Sequence, residues 1–258
     1  MEGACTLVAL LWNHKISGWY ERAVEHCNYP MDVIGDDLVD MISPSDVVVD
    51  AGAGIGPVSL AAAPLCQRVI AVDKLPGAIA ILRQRVATAG VNNVETVVGD
   101  WLTVHLVPCD VVVCAYAIGV SRNPACLRKI WSVSNKGLIL TSRGSFRESY
   151  AFNHVAAGLG LQLEQDCLSG CLERGLLEGL GATVTCRPVI HDFGQPVDSA
   201  EEAWEYVKHQ LKVGDDLDST GLDLVQEVLE VNRGCLYLPI RRRSCVIKFT
   251  KTKRRTFR

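Results

Sequence analysis

No stretch of this sequence stays apolar for the roughly 18–20 residues that a bilayer-spanning helix requires, so a helical membrane span is excluded. Positive charge is not in excess either. The formal net charge is −3, which rules out global attraction to nucleic acid or acidic lipid. Charged residues make up only 21% of the chain, and no internal repeat or low-complexity linker divides it, so a repeat array is excluded. There is no Cys-x-x-Cys pair. Cys167 and Cys171 stand one helical turn apart, but no His or Cys pair at ligand spacing follows them, and no metal is expected. What remains is a globular composition. With 258 residues, 48% of them hydrophobic, the chain can bury about 70–75% of its unfolded surface and needs no disulfide or metal to fold.

Three local features bear on compartment and partners. The 11 cysteines are odd in number and unpatterned, and some lie inside apolar runs such as Val113-Cys114-Ala115, where Cys acts as a small hydrophobe. That usage suggests a reducing, cytoplasmic compartment. The apolar stretch 5–12 lacks a basic lead and a small-x-small cleavage site, so it reads as a buried strand or helix start rather than a secretion signal. Residues 241–258 hold nine Lys/Arg and no acid, which leaves 17 basic against 29 acidic groups elsewhere, a net of −12. The tail 251–258 is therefore a candidate polyanion contact, or a solvated terminus.

The middle of the chain alternates strand and helix patterns. Strands are expected at 47–49, 68–73, 94–98, 110–114 and 137–141, and helices at 57–65 and 76–90. Pro76 suits a first helical turn and Gly90 a stop. The strand runs are continuously apolar, so both faces of the sheet are covered and the sheet is mainly parallel. A doubly wound α/β fold follows. Around it, 17–42 reads as two helices broken near Tyr29-Pro30. Ser145-x-x-Glu148, Ser199-x-x-Glu202 and Thr220-x-x-Asp223 match capping boxes that would open helices. A further helix is expected at 167–179, a sixth strand at 182–192 and a closing strand at 244–250. These divide the chain into a helical lead-in or lid, 1–43, and a core, 44–258, with a helical insertion at about 194–240.

The segment Val49-Asp50-Ala51-Gly52-Ala53-Gly54-Ile55-Gly56 follows a strand and opens a helix, the context of a nucleotide-binding loop. A Gly-x-Gly-x-x-Gly dinucleotide fingerprint fails, because Pro57 or Ser59 stands where its third glycine belongs. Acid-x-Gly-x-Gly-x-Gly fits fully. Asp50 could accept a hydrogen bond from an ammonium or from loop amides, whereas a pyrophosphate would be repelled, so the ligand should carry an amino-acid head group. That points to S-adenosylmethionine. Asp73, closing the second strand, can accept ribose hydroxyls. Asp100, after the third, can accept an adenine amino group while Trp101 or Leu102 flanks the ring. Each group lies at a C-terminal strand end, where open α/β sheets bind ligands.

With these motifs in order, 47–141 resembles the class I S-adenosylmethionine-dependent methyltransferases over about 40% of the chain. The resemblance implies a seven-stranded Rossmann-like sheet with a reversed last strand, supplied by the 244–250 segment. It implies S-adenosylmethionine as cofactor, S-adenosylhomocysteine as product, and a cofactor site of Asp50, Ala51, Gly52, Gly54, Gly56, Asp73, Lys74, Asp100, Trp101 and Ala115. The aromatic-rich start, Trp12-Asn13 and Trp19-Tyr20, is similar to the helical lead-in of a group of small bacterial and archaeal members.

Catalytic residues are less legible, because the protein's part in methyl transfer is positioning and electrostatics. The Asn/Asp-Pro-Pro-aromatic motif of enzymes that methylate exocyclic or amide nitrogens is absent after the fourth strand. Tyr116 stands there instead, either orienting a substrate or walling the pocket. His14, His154 and His191 are candidate bases. Trp12, Tyr20, Tyr116 and Arg143 are candidate substrate contacts, Arg143 through a carboxylate or phosphate. Cys114 is not expected to be a nucleophile. The reading is a methyltransferase acting on a small molecule. An RNA or protein methyltransferase and a non-catalytic S-adenosylmethionine-binding protein are the alternatives.

Overall fold

Valine-rich strands assemble the centre of the molecule. The computed structural model describes residues 14–141, 148–163 and 171–251. Five parallel strands, β1 (Val47–Ala51), β2 (Arg68–Asp73), β3 (Val94–Val98), β4 (Cys109–Ala115) and β5 (Ser134–Thr141), are joined by β6 (Ala182–Asp192) and β10 (Arg241–Lys251) in the order β3-β2-β1-β4-β5-β10-β6. β10 is antiparallel to both neighbours, which is the reversed strand expected. Val48, Val49, Val111–Cys114 and Leu138–Leu140 have no exposed surface, as strands covered on both faces should. β6 lies at an edge, and its positions are exposed or half-buried except for buried His191.

Helices cover both faces. The loop after β1 leads into α3 (Pro57–Ala62), and β2 is followed by α4 (Pro76–Thr88) with Pro76 in its first turn. Gly90 takes a left-handed φ of 64° just past α4, the conformation that ends helices. Between β4 and β5 lie a short α5 (Ile118–Ser121) and α6 (Pro124–Val133), which the periodicity did not single out. Asn123 caps α6, its Oδ1 accepting from the amide of Ala125 at 2.9 Å.

The lead-in forms α1 (His14–His26) and α2 (Met31–Met41), broken around Tyr29-Pro30 as expected. Buried Asp37 of α2 accepts from Arg187 at 2.7 Å and Lys248 at 2.8 Å, tying α2 to β6 and β10. After β5 come α7 (Tyr150–Gly158) and α8 (Cys171–Gly179). The stretch after β6 holds β7 (Gln195–Val197), α9 (Ala200–Leu211), α10 (Asp218–Gln226), β8 (Glu230–Asn232) and β9 (Cys235–Leu238). The insertion is thus two helices, as expected, with an additional three-stranded sheet, β7-β9-β8. Trp19 of α1 meets Tyr206 of α9 edge-on at 5.3 Å and donates to Glu202 at 2.9 Å, so lead-in and insertion form one cover.

Two expected helix starts move. α7 begins at Tyr150 with Ser149 at its N-cap position, and the Ser149 hydroxyl donates to the carbonyl of Pro239 instead of capping. Ser145 lies outside the described residues. α10 begins at Asp218, two residues before Thr220, because Trp204 and Lys208 of α9 both donate to Asp218 Oδ1, at 2.8 and 2.9 Å. Ser199 does cap α9, its hydroxyl accepting from the amide of Glu202, but the box is not reciprocal: the Glu202 carboxylate accepts from the amide of Asp198 at 2.7 Å. The stretch 5–12, Cys167 and the tail beyond Lys251 lie outside the described residues.

Candidate functional site

Strand register brings the three acids to one edge. Asp50 pairs with Ala71 and Val113, and Asp73 with Val98, so both stand at the C-terminal ends of adjacent parallel strands, with Asp100 just past β3. A cavity of about 510 Å³ opens there, within the range of small-molecule sites. Its lining includes Asp50, Gly52, Gly54, Asp73, Lys74, Asp100, Trp101, Ala115 and Tyr116, together with Tyr20 and Tyr29 from the lead-in.

The glycines divide the work. Gly52, Gly54 and Gly56 all have positive φ, 80°, 54° and 82°, which L side chains resist. A Cβ at Gly52 would lie 2.3 Å from Ala117 Cβ, and one at Gly56 only 1.9 Å from Leu82 Cδ1, but one at Gly54 meets nothing within 4 Å. Gly54 therefore faces the open cavity, while Gly56 lets the turn pack on α4. Gly56 and Ala51 do not line the cavity; Ala51 is wholly buried in β1.

Each acid is held differently. Asp50 is 2% exposed, and its Oδ2 accepts from the Ser59 hydroxyl at 2.6 Å. Burial pushes its carboxyl up to about 7, against the Ser59 hydrogen bond, which lowers it, while nearby Asp73 raises it further. Asp73 accepts from the amide of Gly54 through Oδ2 and from that of Leu75 through Oδ1, both at 2.9 Å. Each of its oxygens keeps a further lone pair. Asp100 Oδ1 accepts from the amide of Leu102 at 2.8 Å. Trp101 is buried, with its indole N–H donating to the carbonyl of Cys126 and Lys129 lying 5.4 Å over its ring.

The cavity suits a ligand with a cationic head and hydroxyl groups. Among the described residues its lining presents Lys74 as the one cation against three carboxylates. The open space at Gly54 is a cradle that a side chain would fill. A pyrophosphate would meet an excess of acidic groups over the single lysine. The residues present fit S-adenosylmethionine.

The other candidates scatter. Tyr116 lies on the cavity wall, its hydroxyl bonded to His191 and Ser244. His154 sits on α7, 2.8 Å from Glu227, away from the cavity lining. Trp12 and Arg143 lie outside the described residues, as does the side chain of His14. Cys114 is fully buried and its thiol is pushed well above the ordinary range by burial, which makes it inert. Sequence reasoning missed Tyr29, Asn123 and, in α5, Ile118, Gly119 and Val120 as parts of the wall. Asn123-Pro124, an N-cap and N1 pair, was the available signal.

Residues 48–137 match the family model of the methyltransferase domain. Over 72 residues the chain is 38% identical to Probable ribosomal RNA small subunit methyltransferase A of Methanosarcina mazei. That stretch is 28% of this chain and 26% of the relative, so the chain matches about a quarter of the relative's length. Among solved structures the chain is similar to magnesium protoporphyrin IX methyltransferase of Synechocystis with bound S-adenosylhomocysteine, at 12% identity, a TM-score of 0.59, and coverage of 96% of this chain and 99% of that one. It is also similar to the YcgJ protein of Bacillus subtilis, at 15% identity, a TM-score of 0.56, and coverage of 85% and 98%. At these identities the likeness is one of fold.

Proposed function

We propose, from the premise that the chain carries a class I S-adenosylmethionine-dependent methyltransferase domain, that it transfers the methyl group of this cofactor to a small molecule. One observation carries the reading: the glycine loop and three carboxylates from successive strand ends converge on a single cavity. In this reading Asp50 accepts the ligand's ammonium, the free lone pairs of Asp73 accept ribose hydroxyls, and Asp100 accepts the adenine amino group beside Trp101 and Leu102. When bound, S-adenosylmethionine supplies an electrophilic methyl carbon on a sulfonium. The chain's own part is to orient both reactants and exclude water. Tyr20 and Tyr29, from the lead-in, and Tyr116 wall the same cavity, which favours a small, enclosed acceptor. We assign Tyr20 and Tyr116 to acceptor binding and the lead-in to a lid.

The match to a ribosomal RNA methyltransferase favours RNA as a second reading. Against it, part of the basic cluster at the start of β10 is internally paired: Arg241 with Asp192 at 3.1 Å and Arg243 with Glu148 at 3.0 Å. Arg242 lies 4.7 Å over the ring of Phe193. Cys66, Cys109, Cys114, Cys126 and Cys245 are buried free thiols, which supports a reducing, cytoplasmic setting. Calorimetry with S-adenosylmethionine, followed by a labelled-methyl screen over metabolites and RNA, tests the proposal. Label passing to small molecules is expected. Label passing only to RNA would promote the second reading, and binding without any transfer would leave a cofactor-binding protein.

A further inference from the structure

Tyr116, His191 and Ser244 come from three separate parts of the chain and meet at one point. Tyr116 follows β4, His191 is near the end of β6, and Ser244 is in β10. The phenol oxygen lies 2.7 Å from His191 Nε2 and 2.8 Å from Ser244 Oγ, and Oγ is 3.3 Å from Nε2. His191 and Ser244 are buried; Tyr116 is half-buried, with its open side on the cofactor cavity. Its φ is +54°, a left-handed conformation that a bulky residue adopts only under constraint. The amide of Tyr116 donates to the carbonyl of Leu140 at 2.8 Å, which helps hold it there.

The hydrogen bonds give the protons their places. His191 Nδ1 faces the carbonyl of Asp192 at 3.3 Å. A carbonyl only accepts, so Nδ1 carries the hydrogen and Nε2 keeps a lone pair. The Tyr116 hydroxyl then donates to Nε2, and the Ser244 hydroxyl donates to the phenol oxygen. Burial holds His191 below its ordinary range, Arg242 acts in the same direction, and Asp192 opposes it. The imidazole is therefore a neutral acceptor near pH 7. Burial raises the Tyr116 phenol, against Ser244 and Arg242, so the phenol keeps its proton. On the cavity side stand Tyr20, Tyr29 and Asp50.

His191 also lines a second space. That space is a polar cleft of about 610 Å³, bordered by Asp32, Glu148, Asp192, Glu230, Arg233 and Arg241. Tyr116 and His191, hydrogen-bonded to each other, thus join the cofactor cavity, which Tyr116 lines, to the polar cleft, which His191 lines.

We propose that Tyr116 and His191 form a proton relay for the methyl transfer, and that the acceptor is a neutral phenol, alcohol or thiol. This rests on the methyltransferase reading above. The acceptor's O–H or S–H proton passes to Tyr116 Oη as the heteroatom attacks. The Tyr116 hydroxyl proton passes to His191 Nε2. The new bond to the methyl carbon forms as the carbon–sulfur bond breaks, with its electron pair left on sulfur. The imidazolium then releases one proton into the cleft. Tyr116 touches the acceptor and is the catalytic residue; His191 and Ser244 are positioning residues. A carboxylate acceptor would not need this device.

The test uses the full chain with S-adenosylmethionine, and phenols and thiols set against carboxylates as acceptors. Calorimetry comes first: wild type, Tyr116→Phe and His191→Gln should bind the cofactor within about threefold of one another. Release of S-adenosylhomocysteine should occur with phenols or thiols, and kcat should fall about 10²–10⁴-fold in Tyr116→Phe. The wild-type rate should rise with pH through the His191 titration, and His191→Gln should lose that limb. Nitrogen-15 NMR at pH 7 should find His191 Nε2 without a proton, with its resonance moved by Tyr116→Phe. If the wild type binds no S-adenosylmethionine, the methyltransferase reading falls and takes the relay with it. If it binds but transfers to no acceptor, a cofactor-binding protein remains and the relay falls together with the transfer reading. If it transfers, the relay alone is overturned by any of three results: Tyr116→Phe turning over phenols and thiols at the wild-type rate, transfer to carboxylates only, or a protonated Nε2 at pH 7.

Discussion

The amide of Gly54 donates to Oδ2 of Asp73 across 2.9 Å, so the loop after β1 and the acid that ends β2 set each other's position. The second Asp73 oxygen accepts from Leu75 at the same distance. The residue read as a ribose acceptor is therefore also the brace of the glycine loop, and its substitution has two effects at once.

Asp73→Ala should weaken S-adenosylmethionine binding by about 1.5–3 kcal/mol, the worth of a hydrogen bond to a charged group. Asp73→Asn should lose nearly as much. Its amide nitrogen would point at either the Gly54 or the Leu75 amide, and two donors cannot pair. Isothermal calorimetry measures both. Tight NAD binding with no S-adenosylmethionine binding would refute the cofactor assignment.

The three loop glycines should respond differently to a side chain. Gly52→Ala and Gly56→Ala force contacts with Ala117 and Leu82, and both should lower the melting temperature. A Cβ at Gly54 meets nothing within 4 Å; in Gly54→Val the left-handed backbone costs roughly 1–2 kcal/mol, and the branch extends into the cavity. The variant should stay folded by thermal melt and lose cofactor binding. Near-native affinity in this variant would mean the loop is not the cradle.

Cofactor affinity should depend on pH through Asp50. Its carboxyl is raised from 3.8 to about 7, so between those values the folded protein holds a proton that the unfolded chain has lost. The contribution of Asp50 to stability without ligand is therefore fully present at low pH and is lost as pH rises through that window. An ammonium ligand needs the ionised form, so affinity should rise about tenfold per pH unit below 7. It should fall again once the ligand's own α-amino group titrates, at about 7.7–8.0. Calorimetry in buffers of different ionisation heat should record proton release on binding at acid pH. In Asp50→Asn the acid limb should vanish along with most of the affinity, and an unchanged acid limb would remove Asp50 from the head-group site.

The tail should be dispensable if the cut falls after the closing strand. β10 runs to Lys251, which pairs with Ala182, donates to the carbonyl of Ser132 at 3.2 Å and lies 4.8 Å over the Trp131 ring. Deleting 252–258 should leave cofactor affinity and small-molecule turnover nearly unchanged. A cut before Lys251 removes part of the sheet and should lower stability. RNA binding compared across a salt series, full-length against truncated, checks the alternative. A steep, tail-dependent slope of about −0.7 per phosphate contact, with methyl transfer to the RNA, would shift the function to RNA.

Much of the core was legible because its signals are local. β2, β3 and β6 have the bounds read from their apolar runs, and β1, β4 and β5 extend theirs by one to three residues at an end. β-Branched runs leave a helix little to favour it. The glycine spacing and the acids at strand ends were equally local, since a tight turn beside a ligand demands glycine at fixed offsets. The insertion sheet was not legible: strands of three or four residues, such as β7 and β9, give too few positions for alternation to stand out.

The sequence by itself therefore determined the doubly wound sheet, the glycine loop and the places of the three acids at strand ends, because each depends on residues close together in the chain. Tertiary structure alone decided where α10 starts, since Asp218 is held by Trp204 and Lys208 of the preceding helix. It alone separated His191 from His154. Both are single histidines with no motif around them, and only the fold sets one against Tyr116, 75 residues away, and the other against Glu227 outside the cavity lining. Tyr116 and Ser244 are 128 residues apart, and no local periodicity encodes a contact at that distance. The pairing of β10 between β5 and β6 brings Ser244 and His191 onto one face beside the end of β4, and that pairing is a long-range property of the folded sheet.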